Sequence, residues 1–304
     1  PRVSIVIVNW NGRNDTLECL ESVSAIDYPN FNAIIVDNGS HDGSVEAIRG
    51  RFPEVTVLET GKNLGFAGGN NVGILYALGN CADYVLLLNN DTIVDPLLIK
   101  NFMEASAQTE HGGIYGAKIY YFTEPDRIWY AGGRWSDRKS QFIHEGYGCI
   151  DKEDEYSAMV ETDYACGCAL FIKAAIFNKI DLLDEQFFLT FEETDLCYRA
   201  RRAGFKSYFV PGAKVWHKVS TSFGGAQSAL YEYFMTRNKL LWAEKNLPLS
   251  KQLKVCRRVL RDIMKNMLPI SNPILKARIY GLLDYLLRRF GNCSDSVRLL
   301  DNRR

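Results

Sequence analysis

The sequence lacks the features that mark several common classes of protein. Eight cysteines occur in 304 residues, yet no two of them form a CxxC pair. Cys166 and Cys168 stand one residue apart without a second pair of ligands nearby, so a structural metal site is not indicated. A chain of this length has no need of disulfide staples. We therefore expect reduced cysteines, mostly packed in the core, in a cytoplasmic protein.

Long apolar runs are also missing. No run approaches the roughly 18 to 20 residues that a membrane span requires, and no apolar leader precedes the first β-branched run. We expect a chain that does not cross a membrane. Hydrophobic residues make up 47% and charged residues 24% of the sequence, which is typical of a folded protein and excludes wholesale disorder.

A net charge is absent as well, because 36 Lys and Arg balance 36 Asp and Glu. The distribution along the chain is uneven: residues 251–304 hold thirteen basic and four acidic side chains, a balance of +9, so residues 1–250 carry −9. A basic C-terminal region indicates an anionic partner, and membrane lipid and nucleic acid are the usual candidates. No motif that reads nucleic acid is present, so we expect no nucleic acid partner.

The sequence does contain a regular alternation of strands and helices. Apolar runs at residues 3–8, 33–36, 55–59 and 84–88 predict four buried strands with helices between them. This order is typical of a doubly wound parallel sheet, whose crossovers place the polar loops at one edge. A segment rich in Gly and Asn, residues 63–73, is predicted to be a loop that enters a helix at residues 71–78.

After residue 96 the pattern becomes mixed. Aromatic strands are predicted at residues 114–122 and 129–135, followed by a polar, mobile stretch, a helix that starts at residue 192 and a strand at 206–210. The polar stretch covers residues 137–155. Three helices, predicted at residues 228–246, 251–267 and 272–290, form a C-terminal extension, and prolines separate them.

Polar residues stand where the predicted strands end. Asp37 follows the second strand, where doubly wound folds bind the ribose or base of a nucleotide, although Asp, Asn, Gly and Ser also make ordinary turns. The glycines of residues 63–73 allow a phosphate to approach a helix N-terminus, or they form a plain loop. Asp91 follows the fourth strand, where a carboxylate can bind Mg²⁺ or Mn²⁺ or can cap the next element.

Three carboxylates, Glu192, Glu193 and Asp195, stand within four residues at a predicted helix start. The helix dipole alone explains acidic residues there. Clustered carboxylates also suit a general base, because neighbouring negative charge raises the pKa of one of the groups. Further along, His217 offers a neutral imidazole to a metal, although a lone histidine is more often structural.

Seven motifs together resemble glycosyltransferase family 2, particularly its bacterial rhamnosyltransferase-like members, which build cell-surface polysaccharides. They occur in the order and spacing of that family across about 225 residues. The motifs are VSIVIVNWNG from Val3, VDNGSHDGS from Val36, NLGFAGGNNVGI from Asn63, LLLNNDTIVDP from Leu86, GCALFIKAAIF from Gly167, DEQFFLTFEETDLCYRARRAGF from Asp184 and VWHKVSTSFGG from Val215.

The resemblance implies an α/β protein with the GT-A fold, a Rossmann-like, mixed, mainly parallel sheet flanked by helices. Residues 1–225 would form the catalytic domain, with a nucleotide-binding half at 1–95 and an acceptor half at 96–225. Residues 226–304 would form a basic, amphipathic helical region. The resemblance also implies transfer of a sugar from a nucleoside diphosphate donor, with inversion at the anomeric carbon and with Mg²⁺ or Mn²⁺ as cofactor.

The resemblance places the nucleotide-sugar site by position. Asp37 would contact the base, and Asn9 and Asn11 would line the same pocket. Asn63 and Gly65 would lie near the nucleoside.

The stretch Asn89-Asn90-Asp91 occupies the position of the metal-binding DxD motif of the family, with Asn89 in place of the first Asp. Asp91 would bind the metal together with His217. Asn89 and Asn90 would remain close enough to contact the nucleotide sugar.

Glu193 aligns with the catalytic base of the family, and Glu192 is the alternative because Glu193 is one methylene longer than the usual Asp. An inverting transfer needs a base that takes the proton of the acceptor hydroxyl, and a cation that neutralises the departing diphosphate. The two carboxylate clusters match these two needs.

The donor implied first is dTDP-rhamnose, with UDP- and GDP-sugars as alternatives, and the implied acceptor is a saccharide or a lipid-linked saccharide. The C-terminal helices suit an anionic membrane surface, so the protein would lie on the inner face of the cell membrane. They also suit packing on the catalytic domain or a homodimer interface. Four aromatic residues either line the acceptor pocket or belong to the core, namely Trp129, Tyr130, Trp135 and Phe142.

Two other functions compete with glycosyl transfer. A nucleotidyltransferase should carry a basic, Gly-rich loop after its first strand, whereas this chain has one glycine and Arg13 there. A non-catalytic nucleotide-sugar-binding protein should have lost the carboxylates of Asp91 and Glu193, and both are present.

Overall fold

A computed structural model describes residues 1–152, 155–219, 228–265 and 272–301. Among these residues, ten strands form one mixed sheet, two more form a hairpin, and helices cover the sheet. The strands are β1 (Val3–Asn9), β2 (Phe31–Asp37), β3 (Thr56–Glu59), β4 (Tyr84–Asn89), β5 (Thr92–Val94), β6 (Gly112–Tyr121), β7 (Ile128–Tyr130), β8 (Gly133–Ser136), β9 (Gln141–His144), β10 (Val160–Thr162), β11 (Ala169–Lys173) and β12 (Lys206–His217). The α-helices are α1 (Arg13–Ser24), α2 (Ser44–Arg51), α3 (Gly65–Gly79), α4 (Leu98–Ala107), α5 (Phe177–Ile180), α6 (Glu192–Arg202), α7 (Ala229–Asn246), α8 (Leu249–Lys265), α9 (Pro273–Leu286) and α10 (Asp295–Arg298), and a 3₁₀ turn at Ala174–Ile176 precedes α5.

The first four strands form the parallel part of the sheet, in the order β3-β2-β1-β4. Nearly all β-branched and leucine side chains of β1, β2 and β4 are buried, whereas those of the edge strand β3 are only partly buried. The register pairs Asn9 with Asp37 and Val8 with Asn89. The polar strand ends that the sequence predicts therefore meet at one edge.

The sheet continues beyond β4 with strands of both directions. β11 runs antiparallel to both β4 and β6, and β12 runs parallel to β6. The short strand β5 pairs antiparallel with the end of β12, so that His217 lies opposite Thr92. This pairing brings the residue that precedes β5, Asp91, beside His217. The predicted mixed, mainly parallel sheet is confirmed.

The Gly- and Asn-rich segment at residues 63–73 was predicted to be a loop, and this prediction is wrong. Helix α3 starts at Gly65 and includes most of the segment. The glycines are needed because α3 lies directly on β1: a Cβ atom on Gly73 would lie 2.2 Å from Cγ1 of Val6, and one on Gly69 would lie 2.9 Å from Cγ1 of Val8. Here glycine permits close packing between a helix and a sheet rather than a turn.

Two other predictions differ from the structure. The polar stretch at residues 137–155 contains part of an antiparallel hairpin, β8-β9. The strand predicted to end at residue 210 continues as β12 to residue 217. Residues 220–225 of the last motif, Met267 and the proposed domain boundary at residues 225 and 226 lie outside the described residues.

The C-terminal helices pack on the preceding part of the chain. Trp242 of α7 is buried in a cluster with Phe187 and Phe191, which precede α6. Helix α9 crosses α7 closely at Gly281, where a Cβ atom would lie 2.7 Å from the carbonyl oxygen of Tyr233. Packing on the catalytic domain was one of the alternatives left open by the sequence. None of the helices in the described ranges combines the length and the apolar character that a membrane span needs.

The contact between α3 and β1 predicts the effect of a single methyl group. Gly73→Ala forces Val6 or the helix to move and should lower the free energy of unfolding by about 1–3 kcal/mol. Gly79→Ala at the end of the same helix meets no atom within 4 Å and should raise it by about 0.5–1 kcal/mol. Urea unfolding followed by circular dichroism measures both. Equal effects of the two substitutions would contradict the close packing.

Candidate active site

A cavity of about 520 Å³ opens at the carboxyl edge of β1 and β4 and extends to α6 and α7. Eight of the predicted site residues line it: Asn63, Gly65, Asn89, Asn90, Asp91, Glu192, Glu193 and His217. The other three, Asn9, Asn11 and Asp37, lie behind or beside it. The fold thus brings most of the predicted residues together from four separate parts of the chain.

Asn9 and Asp37 form a buried polar pair under the rim of the cavity. Asn9 is 0% exposed and Asp37 is 3% exposed. The Asn9 amide donates to Oδ1 of Asp37 at 3.0 Å, and the backbone N–H of Ser40 donates to Oδ2 at 3.0 Å. Thr16 donates its hydroxyl to Oδ1 of Asn9 at 2.9 Å. In this structure Asn9 therefore orients Asp37, and contact of either residue with a nucleotide stays a prediction.

Asn11 lies on the exposed side of the same edge. Its backbone has a φ of 52°, a left-handed conformation that Asn adopts more readily than most residues. Its side-chain oxygen accepts a hydrogen bond from the backbone N–H of His41 at 2.8 Å, which ties the turn after β1 to the turn after β2. Contact of Asn11 with the nucleotide likewise stays a prediction.

Asn38 organises the start of α3, although the sequence did not single it out. Its amide donates to the carbonyl oxygen of Gly65 at 3.0 Å and to Oδ1 of Asn63 at 3.3 Å, and its own oxygen accepts from the N–H of Leu64 at 2.9 Å. Gly65 has a φ of +76°, and a Cβ atom there would lie 2.5 Å from the carbonyl oxygen of Phe188. This position therefore needs glycine for both conformation and space.

Asp91 and His217 meet on one wall of the cavity. Nε2 of His217 lies 3.1 Å from Oδ1 of Asp91, and both side chains are about 7% exposed. Within the described residues, Nδ1 of His217 is buried without a hydrogen-bond partner, and Nε2 faces the carboxylate of Asp91 without forming a regular hydrogen bond. A buried imidazole nitrogen that faces a carboxylate in this way can bind a cation together with it.

The donor set around Asp91 fits a divalent cation that shares its coordination with a substrate. In the part of the chain that the structure describes, no group of three or more His, Cys, Asp or Glu side chains is arranged around a common point. Mg²⁺ and Mn²⁺ often take one or two protein ligands and complete an octahedron with water and substrate phosphates. One carboxylate and one imidazole leave room for a diphosphate.

Glu192 and Glu193 occupy another wall of the cavity, at the start of α6. Burial raises the pKa of Glu193 to about 6. Burial, together with the negative charge of Glu193, raises the pKa of Glu192 well above its usual range. A hydrogen bond between the two side chains favours the ionised form of Glu193. At neutral pH the pair therefore holds one proton, on Glu192, and Glu193 can accept another.

The segment before these glutamates has an unusual backbone. Phe188, Thr190 and Phe191 have φ angles of 60°, 65° and 72°, in the left-handed region that bulky residues rarely adopt. Such conformations cost of order 1–3 kcal/mol each and persist only where the surroundings hold them. They turn the chain sharply into α6, so that Glu192 and Glu193 face the cavity.

Aromatic side chains line another wall of the cavity. Trp129 lies edge-on between His144 and His217, with ring centroids 4.8 and 5.2 Å apart. Burial lowers the pKa of His144, which keeps its imidazole neutral. Of the four aromatic residues considered from the sequence, Trp129 and Phe142 line the cavity, whereas Tyr130 is fully buried in the core. Trp135 packs against Trp242 of α7.

Helix α7 contributes a further stripe of the lining. Tyr231, Met235 and Lys239, spaced by one helical turn, face the cavity. No such stripe was expected from the sequence, because its pattern indicated a basic extension that starts after residue 225. The only available signal was the stripe itself, which is also typical of ordinary core packing.

The sequence matches the model of the family described as Glycosyl transferase family 2 over residues 4–180. It is 32% identical to the uncharacterized protein y4gI of Sinorhizobium fredii over 241 residues, which are 74% of this chain and 25% of that protein. The chain therefore spans about a quarter of the length of this relative. It is 27% identical over 240 residues to the N-acetylglucosaminyl-diphospho-decaprenol L-rhamnosyltransferase of Mycobacterium tuberculosis, covering 72% of this chain and 77% of that enzyme.

Among solved structures, the mannosyltransferase PcManGT from Pyrobaculum calidifontis, in complex with GDP-Man and Mn²⁺, superimposes with a TM-score of 0.60 at 12% identity. The match covers 95% of this chain and 88% of that protein. The similarity concerns the fold, and the predicted GT-A architecture with C-terminal helices is confirmed.

Because the pKa of Glu193 is raised, we expect that replacing its carboxyl group with a neutral amide stabilises the fold by an amount that depends on pH. Because the pKa in the folded state, about 6, lies above the ordinary value of 4.5, the favourable contribution of the protonated group is present below pH 4.5 and is lost as pH rises through 6. Glu193→Gln should therefore raise the free energy of unfolding at pH 8 by roughly 1–2 kcal/mol, and by little at pH 4.5.

Denaturant unfolding at both pH values measures the difference. Glu54→Gln, at an exposed position on the far side of the sheet, controls for the loss of one carboxyl group. A gain that is the same at the two pH values would argue against a buried, ionised Glu193.

Proposed function

The chain belongs to glycosyltransferase family 2, as its motifs predict, and from this membership we propose that it is an inverting, metal-dependent glycosyltransferase. One observation carries the proposal. A single cavity joins the buried Asp91–His217 pair, which suits a metal-bound diphosphate, with the Glu192–Glu193 pair, which suits removal of a proton. These are the two functions that direct transfer to a hydroxyl requires.

In this proposal the donor lies along the carboxyl edge of the parallel strands. The nucleoside occupies the end formed by Asn63 and Gly65, with Asp37 near the base and Asn9 and Asn11 supporting that pocket. Asn89 and Asn90, which lie between the nucleoside end and Asp91, contact the ribose or the diphosphate. The carboxyl ends of parallel strands are where open α/β sheets bind nucleotides.

Asp91 and His217 would hold the cation, Mn²⁺ or Mg²⁺, and the imidazole ligand favours Mn²⁺ because Mg²⁺ prefers oxygen. When bound there, the cation would supply positive charge that offsets the negative charge of the departing diphosphate. The 3.1 Å approach of a buried imidazole nitrogen of His217 to the carboxylate of Asp91 supports this assignment.

Glu193 acts as the base. It takes the proton of the acceptor hydroxyl while the oxygen attacks the anomeric carbon on the face opposite the diphosphate, and the configuration inverts. Glu192 stays protonated and supports the ionised form of Glu193 through their hydrogen bond. A pKa of about 6 suits a base that works near neutral pH.

We propose rhamnose as the sugar, supplied as dTDP-rhamnose, and a lipid-linked saccharide as the acceptor in the synthesis of a cell-surface polysaccharide. The similarity to an enzyme named as a rhamnosyltransferase that acts on N-acetylglucosaminyl-diphospho-decaprenol supports this choice. UDP- and GDP-sugars are the alternative donors. Trp129 and Phe142 offer aromatic faces against which the acceptor sugar can pack.

A lipid-linked acceptor would require access to a membrane, and α8 offers a suitable surface. Its inner face packs on α7 through Val255 and Val259. Its outer face exposes Leu253 (50%), Leu260 (45%) and Met264 (61%). The basic side chains of Lys254, Arg257, Arg261 and Lys265 are exposed among these apolar residues. We propose that this face, named here the α8 outer face, lies on the anionic inner leaflet of the cell membrane, with the protein in the cytoplasm.

Substitution of the proposed base, Glu193, provides the test of glycosyl transfer. Glu193→Gln should lower kcat by about 10²–10⁴-fold, because the amide cannot take the proton, and should leave the Kd for the nucleotide sugar nearly unchanged. Transfer from dTDP-rhamnose, and then from UDP- and GDP-sugars, to decaprenyl-diphosphate-linked N-acetylglucosamine measures the first quantity, and calorimetry with Mn²⁺ measures the second. Glu54→Gln serves as the control. Full activity of Glu193→Gln, or activity undiminished by EDTA, would contradict this mechanism.

Membrane association is tested by reversing charge on the α8 outer face. The double variant Arg257→Glu and Arg261→Glu should lose co-sedimentation with vesicles that contain phosphatidylglycerol, because each basic side chain near an anionic surface contributes about 1 kcal/mol. Lys100→Glu with Lys179→Glu makes the same change in charge at exposed positions on α4 and α5. Equal binding of both double variants, or binding that is independent of anionic lipid, would overturn the proposal. A stable dimer through α8 in solution would favour the dimer interface instead.

A further inference from the structure

The segment Gln186–Phe191, named here the pre-catalytic loop, is held by two buried polar residues of α7. We propose that Arg237 and Asn238 are positioning residues, which fix this loop so that Glu192 and Glu193 face the cavity. The inference rests on the proposed function in one respect only, namely that these glutamates perform the chemistry. It makes the C-terminal helices part of the active site rather than an attachment to it.

Asn238 is 0% exposed, and its side-chain amide points into the pre-catalytic loop. Its Nδ2 lies 2.7 Å from the carbonyl oxygen of Phe187, 2.6 Å from that of Leu189 and 3.1 Å from that of Thr190. Two N–H groups are thus shared among three carbonyl oxygens within four residues of a tight turn. No regular helix or strand could satisfy these carbonyls, since the loop has neither conformation.

Arg237 is also 0% exposed, and it fixes both the loop and Asn238. Its Nε donates to Oδ1 of Asn238 at 2.9 Å, which determines that the amide nitrogen rather than the oxygen faces the loop. Its Nη2 donates to the carbonyl oxygens of Gln186 at 3.3 Å and Phe187 at 3.2 Å. The guanidinium lies over the ring of Phe234, 5.0 Å from its centroid, which compensates part of the cost of burying the charge.

Arg237 and Asn238, together named here the clamp, are anchored in turn by α9. Nη1 of Arg237 donates to the hydroxyl of Tyr233 at 3.2 Å, and that hydroxyl donates to Oδ2 of Asp284 at 2.7 Å. The close crossing at Gly281 leaves α7 and α9 little freedom to slide. A continuous set of hydrogen bonds therefore links α9 through α7 to the pre-catalytic loop, so that the position of α9 helps to determine the position of the loop.

The opposite side of the loop is tied to the donor end of the cavity. The backbone N–H of Phe66, in the first turn of α3, donates to the carbonyl oxygen of Phe188 at 2.7 Å. The loop is thus held between α3, which borders the nucleoside pocket, and α7. A change at Asn238 should displace the glutamates relative to the donor and not merely loosen one surface turn.

The geometry of the loop explains why it needs a clamp. Three of its residues have left-handed backbone conformations, which are unfavourable without support. In the described part of the chain, Oγ1 of Thr190 and Oε2 of both Glu192 and Glu193 are buried without hydrogen-bond partners. The clamp thus presents three polar atoms whose partners would have to come from a ligand in the cavity.

The test combines Asn238→Ala with Ile48→Ala, a control that removes buried side-chain volume on α2, far from the loop. Hydrogen exchange followed by mass spectrometry should show peptides that cover residues 186–193 exchanging at least about 10-fold faster in Asn238→Ala, and unchanged in the control. kcat should fall by about 10- to 100-fold in Asn238→Ala, with the donor KM within about threefold of wild type. Asn238→Ser, which keeps one hydroxyl donor, should recover part of both effects and replaces Asn238→Ala should that variant fail to fold.

Unchanged exchange in residues 186–193 would overturn the clamp, and so would a loss of kcat no larger than that in Ile48→Ala. A rise in donor KM without a fall in kcat would also overturn it, since it would place Asn238 in donor binding. Failure of the wild-type protein to transfer any sugar would overturn the proposed function instead, and the exchange measurement alone would then decide whether the clamp exists.

Discussion

Parallel pairing of β1 with β2 and β4 sets Asn9 opposite Asp37 and places Asn89 at the same edge. Each polar strand end depends on this register, because a shift of one residue would turn the side chains to the other face of the sheet. The buried hydrogen bonds of Asn9 and Asn38 then connect the turns, and α3 can approach closely because its glycines carry no Cβ. The cavity lies where the polar strand ends, the connected turns and the start of α3 come together.

The two pairs proposed for catalysis place different demands on the fold. In the proposed mechanism Asp91 and His217 would share a cation with the substrate, whereas Glu192 and Glu193 are two carboxyl groups buried side by side. The second arrangement lowers stability at neutral pH, and the left-handed residues before it add strain. Both costs fall on the segment that would contact the reacting hydroxyl, which is where strained and destabilising residues are commonly found.

The sequence singled out candidate site residues more readily than the residues that support them. Asp91, Glu193 and His217 could be proposed because acidic or imidazole groups at strand and helix ends are chemically distinctive, and the fold places all three around one cavity. Helix α3 was misassigned because glycines that serve close packing cannot be told from glycines that serve a turn. Arg237 and Asn238 were missed because each donates hydrogen bonds to carbonyl groups about fifty positions away along the chain. No local sequence pattern indicates contacts of that kind.

The clamp also has an evolutionary consequence. The family model ends at residue 180, before the glutamates, the pre-catalytic loop and α7. A substitution that reshapes the loop will be tolerated only with a matching change at residues 237 and 238, so these two distant segments should be inherited together. Chimeras that exchange acceptor preference between relatives should therefore be joined before residue 186, and those joined at residue 225 would separate the loop from its clamp.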